Sequence, residues 1–201
     1  MWKKGNEPCR RIAALIEPLA VAWHAVSSSP FRPTDSILVL GCGPIGLGVI
    51  QVLAARGART IIASEIEPQR KALARHFGAH HVLDPSEGDI AEECIAICGG
   101  HGVDVVFDAA GVQAGLDAAI KSCRVGASIM NIAVWKGRAE IDTLLMVLGE
   151  KRFQAVFTYV RRDFEEVIEA VAAGESALPN LPVPQPVVQN RRASCTNLEP
   201  R

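Results

Sequence analysis

Short apolar runs recur along the chain, and between them lie stretches in which apolar residues return every three or four positions. The runs predict strands over 36–41, 59–64, 80–83, 103–107, 126–132 and 153–157. The stretches predict helices over 45–57, 67–77, 89–98, 113–123, 139–149 and 162–173. The strands show little polar alternation: Ile37-Leu38-Val39-Leu40 is wholly apolar, and Val103-Asp104-Val105-Val106-Phe107 nearly so. Strands read this way when both faces are covered, as in a parallel sheet between two layers of helix. Strand and helix alternating six times predict an α/β chain with a doubly wound, six-stranded parallel sheet.

Helix punctuation agrees with this frame. Gly57, Gly78 and Gly174 stand where helices should stop. Asp163 opens the last helix, with Glu165 and Glu166 expected in its first turn, where acids complement the helix dipole. The apolar segment from Ile12 to Val26 is expected to be helical, with Pro18 either kinking it or marking its true start. After Ser176 the pattern dissolves into Leu178-Pro179-Asn180-Leu181-Pro182-Val183-Pro184-Gln185-Pro186 and polar, aperiodic sequence to Arg201. The expected organisation is a leading segment and helix over 1–30, a dinucleotide-binding domain over 31–175, and an extended or disordered tail over 176–201.

Composition narrows the function classes. Of 201 residues 49% are apolar, enough for a sizeable core, and the formal net charge is only −1. No basic block points to nucleic acid or an anionic membrane. No apolar run approaches the roughly 20 residues that span a bilayer. Met1-Trp2-Lys3-Lys4-Gly5 has no apolar stretch behind it, so no secretory signal is expected and the cytoplasm is the expected location. The six cysteines include no C-x-x-C pair. Cys94 and Cys98 would share a helix face and could hold a metal or sense redox state, although buried apolar packing explains them more simply.

The chemistry-bearing stretch is Ser36-Ile37-Leu38-Val39-Leu40-Gly41-Cys42-Gly43-Pro44-Ile45-Gly46, a buried strand running into G-x-G-x-x-G and then a helix. Gly41 allows the tight turn, Gly43 lets a pyrophosphate approach the backbone, and Gly46 lets the helix pack on the strand. Backbone N–H groups at the start of the 45–57 helix, from Ile45 onward after Pro44, face the phosphates, and the helix dipole favours their charge. Glu65 follows the second strand about twenty residues past the last glycine. A carboxylate there accepts ribose hydroxyls and repels a 2′-phosphate, so NAD is expected over NADP, with Arg70 as the nearby cation that bears on this choice. This Rossmann-type reading competes with an S-adenosylmethionine-dependent methyltransferase, whose first motif resembles Leu40-Gly41-Cys42-Gly43. The position of Gly46 and a sixth strand–helix unit argue against it.

With these residues in view, the chain resembles the zinc-dependent medium-chain alcohol and polyol dehydrogenases, and within them the (R,R)-butanediol and sorbitol dehydrogenase branch. The resemblance rests on Glu17-Pro18-Leu19-Ala20-Val21, the glycine turn, Val106-Phe107-Asp108-Ala109-Ala110-Gly111-Val112, Asn131-Ile132-Ala133-Val134-Trp135 and Gly149-Glu150-Lys151-Arg152-Phe153. It spans about residues 11–175. It implies that Ala109 and Ala110 line the adenosine side of the cofactor, that Asn131, Ile132 and Ala133 lie beside the nicotinamide, and that Phe157 and Thr158 close that side. It also implies a small-molecule alcohol or ketone substrate, and a homo- or hetero-oligomer formed through the sixth strand. Glu17 matches a glutamate near the family's catalytic zinc, while His24 reads as a packed histidine rather than a ligand.

The family's catalytic domain, which carries the other zinc ligands and the substrate pocket, has no counterpart here. A catalytic zinc takes three protein ligands and an open position, and Glu17 is one at most. The expectation is therefore a cofactor-domain fragment that binds NAD with little turnover. A non-catalytic NAD-binding or regulatory protein is the alternative.

Overall fold

The computed structural model describes residues 7–173. The proline-rich stretch from 176 and the expected stop at Gly174 lie outside the described residues. Within them, α1 (Glu7–Ser27) leads into β1 (Ser36–Leu40), α2 (Pro44–Ala55), β2 (Thr60–Ser64), α3 (Pro68–His76) and β3 (His81–Leu83). The second half runs α4 (Ile90–Ile97), β4 (Val103–Asp108), α5 (Gln113–Ser122), β5 (Cys123–Asn131), α6 (Thr143–Leu148), β6 (Arg152–Ala155) and α7 (Arg161–Ala173). The six strands form one sheet in the order β3-β2-β1-β4-β5-β6, and every neighbouring pair is parallel. The order reverses between β1 and β4, so the crevice for a ligand opens at the carboxyl ends of those two strands.

Successive residues of one strand feed two cores. Ile37 and Val39 of β1 belong to the cluster that also holds Ile61, Val105, Phe107 and Met130, under α1, α2 and α7. Leu38 and Leu40 belong to the opposite cluster, with Ile62, Val106 and Ile129 under α5. This double cover is why β1, β2 and β4 carry little polar alternation.

Tertiary contacts moved several boundaries. α1 runs unbroken through Pro18, which therefore does not mark its start. An interior proline costs about 3 kcal/mol, but Ile16, Leu19, Ala20, Ala22, Ala25 and Val26 are buried along the same helix, and each large apolar side chain so buried returns about 1.5–3 kcal/mol. β5 begins at Cys123, three residues earlier than expected, because an irregularity between Val103 and Val105 lets Cys123 pair with Val103. α6 starts only at Thr143. Asp142 caps it by accepting from Leu145 N at 3.0 Å, and Gln113 holds Glu140 through two bonds, its Nε2 to Glu140 O and its Oε1 from Glu140 N. β6 stops at Ala155, whose partner Asn131 ends β5, so Phe157 and Thr158 lie past the strand rather than at its end. Glu165 and Glu166 fall beyond the first turn of α7, where Asp163 is the acid. His24 Nδ1 donates to that Asp163 carboxylate at 2.8 Å and so pins α1 to α7, a structural pairing.

Candidate functional site

The turn after β1 is set by close approach. Gly41 has φ +81°, a left-handed conformation, and its amide donates to Ser64 O of β2 at 2.9 Å. A Cβ on Gly46 would lie 1.9 Å from Gly41 O, so only glycine lets α2 sit this close to the strand end. Gly43 is the opposite case, since a Cβ there would meet nothing within 4 Å. Its backbone faces open space, as a cradle for a phosphate requires. Gly43 caps α2, Pro44 opens it without an N–H to spare, and the first amide to bond back is Leu47 N, to Gly43 O at 2.9 Å. The amides of Ile45 and Gly46 precede that first bond and carry the positive end of the helix.

Glu65 is buried beside this turn, 9% exposed. Its Oε2 accepts from Cys42 N at 2.8 Å, inside the glycine turn. Its Oε1 accepts from Ile66 N and Glu67 N, each at 3.0 Å. A carboxylate has about four acceptor sites, so three amides leave room for a hydroxyl. The same side chain thus braces the turn and keeps accepting capacity toward the cavity. Arg70 Nη1 stands 3.8 Å from Glu65 Oε2, on the exposed side.

A cavity of about 740 Å³ opens at this place, and Gly41, Gly43, Glu65, Arg70, Ala109 and Ala110 are among its lining residues. Its far wall runs from Pro85 to Ile90 and across α5 to Lys121. That wall is anchored by Asp84, which pairs with Lys71 of α3. The Lys71 ammonium and the Ser86 hydroxyl hold the Asp84 carboxyl down at about 2. Asp89 caps α4 by accepting from Ala91 N at 2.8 Å and Glu92 N at 3.1 Å.

The remaining residues singled out in the sequence sit elsewhere. Asn131, Ile132 and Ala133 leave β5 next to the loop after β4, and Val156 N donates to Asn131 O at 2.9 Å. Asn131 Oδ1 accepts from Trp135 Nε1 at 3.0 Å. Phe157 is 79% exposed and Thr158 has φ +53°, a strained value for a β-branched residue. None of these five residues lines the cavity. Glu17 is exposed on α1 and does not line it either. Among the described residues no three His, Cys, Asp or Glu side chains are grouped to hold a metal ion. The described residues therefore do not fit a catalytic zinc.

The thiols among the described residues are quiet. Burial pushes Cys42, Cys94 and Cys123 each up to about 12, far from a reactive thiolate at neutral pH. Cys94 is fully buried and Cys98 caps the end of α4, both as free thiols. The packing reading of these two residues accounts for them.

Two features escaped the sequence reading. Asp108 sits in Val106-Phe107-Asp108-Ala109-Ala110-Gly111-Val112, where an acid closing an otherwise apolar, doubly covered strand was the available signal. The β3–α4 wall of the cavity carried only an N-cap pattern, Asp89 before an apolar run.

The model of the family described as zinc-binding dehydrogenase matches residues 44–173. The (R,R)-butanediol dehydrogenase of Saccharomyces cerevisiae is 38% identical over 173 residues, covering 83% of this chain and 44% of that protein. The crystal structure of 2R,3R-butanediol dehydrogenase from Bacillus subtilis superposes with a TM-score of 0.74 at 39% identity, over 80% of this chain and 46% of that one. A Sinorhizobium meliloti structure described as a zinc-binding dehydrogenase bound to NADP gives a TM-score of 0.75 at 30% identity, over 82% and 49% of the two chains. The chain spans about half the length of the curated relatives it matches, 40% to 50%.

Proposed function

This chain belongs to the zinc-binding dehydrogenase family, and we propose that residues 31–175 act as the NAD-binding domain of an oxidoreductase that moves hydride between NAD and a secondary alcohol, diol or polyol. The observation that carries this reading is the buried Glu65 carboxylate, hydrogen-bonded into the glycine turn at the mouth of the cavity. Bound NAD supplies the carbon that accepts or gives the hydride. The chain supplies binding and orientation. The backbone from Gly41 to Gly46, through Pro44 and Ile45, cradles the pyrophosphate, and Glu65 takes the ribose hydroxyls. Ala109 and Ala110 line the adenosine side, and Asn131, Ile132, Ala133, Phe157 and Thr158 flank the nicotinamide.

NAD is preferred over NADP because Glu65 repels a 2′-phosphate at short range. Arg70, exposed and 3.8 Å away, offsets part of that repulsion. Glu17 alone does not hold a zinc, which takes three protein ligands and an open position. Tested by itself, the 201-residue polypeptide is expected to bind cofactor and oxidise little alcohol. Titration with NADH and separately with NADPH, followed by nicotinamide fluorescence, tests the reading. Saturable NADH binding with weaker NADPH binding supports it, and binding of neither overturns it. Among the described residues every neighbouring strand pair is parallel, which supports the dehydrogenase reading over the methyltransferase alternative and its antiparallel strand.

A second reading rests on β6, all of whose residues are exposed. A parallel edge strand that carries Phe153 and stops two residues before Phe157 suits pairing with a second copy of this chain or with a relative. The chain would then be a non-catalytic, NAD-binding partner. Light scattering at micromolar concentration tests it, and a monomer mass overturns it. No described helix is long and apolar enough to cross a membrane.

A further inference from the structure

Asp108 ends β4 and is wholly buried. Its side chain and its main chain address different loops. Oδ1 accepts from Ala110 N at 2.9 Å and Gly111 N at 3.1 Å, in the loop after β4. Its main-chain oxygen accepts from Ile132 N at 2.9 Å and Ala133 N at 3.0 Å, in the loop after β5. The two loops also touch. Gly111 has φ +65°, and a Cβ on it would lie 2.9 Å from Ala133 Cβ. Four amides from two loops thus converge on one residue.

The other carboxyl oxygen, Oδ2, is buried without a hydrogen-bond partner. An acid in that position costs stability. An aliphatic residue would avoid the cost but would leave the Ala110 and Gly111 amides without an acceptor. The acid is therefore kept for what Oδ1 holds.

We propose that Asp108 is a positioning residue that ties the loop lining the cavity to the loop leaving β5, so that the two ends of the dinucleotide site move as one body. The proposal rests on the cofactor reading for what the loops face, though not for the tie itself.

The test compares Asp108→Asn, Asp108→Ala and Ser122→Ala in the 201-residue chain. Ser122 is an equally buried control, whose Oγ donates to Ala118 O at 2.7 Å. Amide hydrogen exchange is measured on the ligand-free chains, and NADH and ADP-ribose are titrated into each. Asp108→Ala removes the acceptor of Ala110 N and Gly111 N but keeps the main-chain acceptor of Ile132 N and Ala133 N, so it should speed exchange in 109–111 directly and, through the Gly111–Ala133 approach, in 131–134 as well. It should weaken ADP-ribose about threefold and NADH about tenfold, because the nicotinamide-side loop loosens as well. A role in stability alone would leave that ratio unchanged. Asn retains an Oδ1 acceptor, so Asp108→Asn should bind both nucleotides within about twofold of the parent. Ser122→Ala should change neither the affinities nor exchange in the two loops.

Faster exchange confined to 109–111 in Asp108→Ala overturns the tie, and so does Asp108→Asn behaving like Asp108→Ala. Asp108→Ser, too short to reach both amides, replaces the alanine variant if that one does not fold. If the parent chain binds neither nucleotide, the cofactor reading fails, while the exchange comparison still decides the tie.

Discussion

β1 and β6 are parallel strands of one sheet in contrasting surroundings. Four of the five residues of β1 are buried, with a neighbour on each edge, whereas β6 has one neighbour and four exposed residues. Their exits differ in the same way. Past β1 the chain enters a glycine turn held by the Ser64 carbonyl and the Glu65 carboxylate. Past β6 it leaves Phe157 exposed and Thr158 strained. Val134, Leu144, Val147 and Leu148, also in the second half of the chain, are exposed as well. A central strand takes its conformation from both neighbours, while an edge strand leaves a row of unpaired backbone groups. The β1 end is therefore held on both edges from within the chain, and the β6 end on one edge only.

The contrast should break hardest at Gly46. Gly46→Val drives a side chain into Gly41 O, and overpacking of this kind is expected to cost about 3 kcal/mol or more and to abolish NADH binding. Thermal melts read it, and a midpoint within about 2 °C of the parent would mean the turn yields more easily than its geometry implies. Glu65→Ala comes next. It strands the amides of Cys42, Ile66 and Glu67, for a loss of about 2 kcal/mol. NADH affinity should drop at least about tenfold while NADPH affinity drops less. Equal losses for the two cofactors would confine Glu65 to bracing the turn.

The third test uses pH. Burial raises the Asp108 carboxyl above the ordinary carboxylate range, and the Ala110 and Gly111 amides only partly oppose this. Its strand neighbours Leu40 and Asn131 do not titrate. The folded chain thus holds this proton more tightly than the unfolded one. The resulting stability is present in full below about pH 4 and is lost as pH rises through the raised folded value. Asp108→Asn lacks that loss, so its melting temperature should gain on the parent's from about pH 4 upward and then level off. Parallel curves would mean that the acid ionises as it does in the unfolded chain. The smallest stability effect belongs to β6. Phe153→Lys should change stability by under about 0.5 kcal/mol, yet it should lower the solution mass if β6 pairs across copies. An unchanged oligomer mass would place the contact elsewhere.

The central half of the site was legible from local pattern because each of its parts is local. An apolar run, three glycines at fixed spacing and an acid after the next strand lie within 36–65. Asp108 was hidden because its partners lie on two loops, one of them more than twenty residues away. The β6 end was misplaced by two residues for a related reason. Apolar character continues to Phe157, but pairing stops where β5 runs out at Asn131. Glu17 remains a residue marked by resemblance alone, exposed on α1.

By itself the sequence determined the strand–helix alternation, the doubly wound class and the glycine turn with its acid, since periodicity and steric permission act within a few residues. Tertiary structure alone decided that α1 would run through Pro18, that Glu65 would brace Cys42, and that Asp108 would gather four amides. Each of these depends on burial or on a hydrogen-bond partner in a distant segment, which no local pattern encodes.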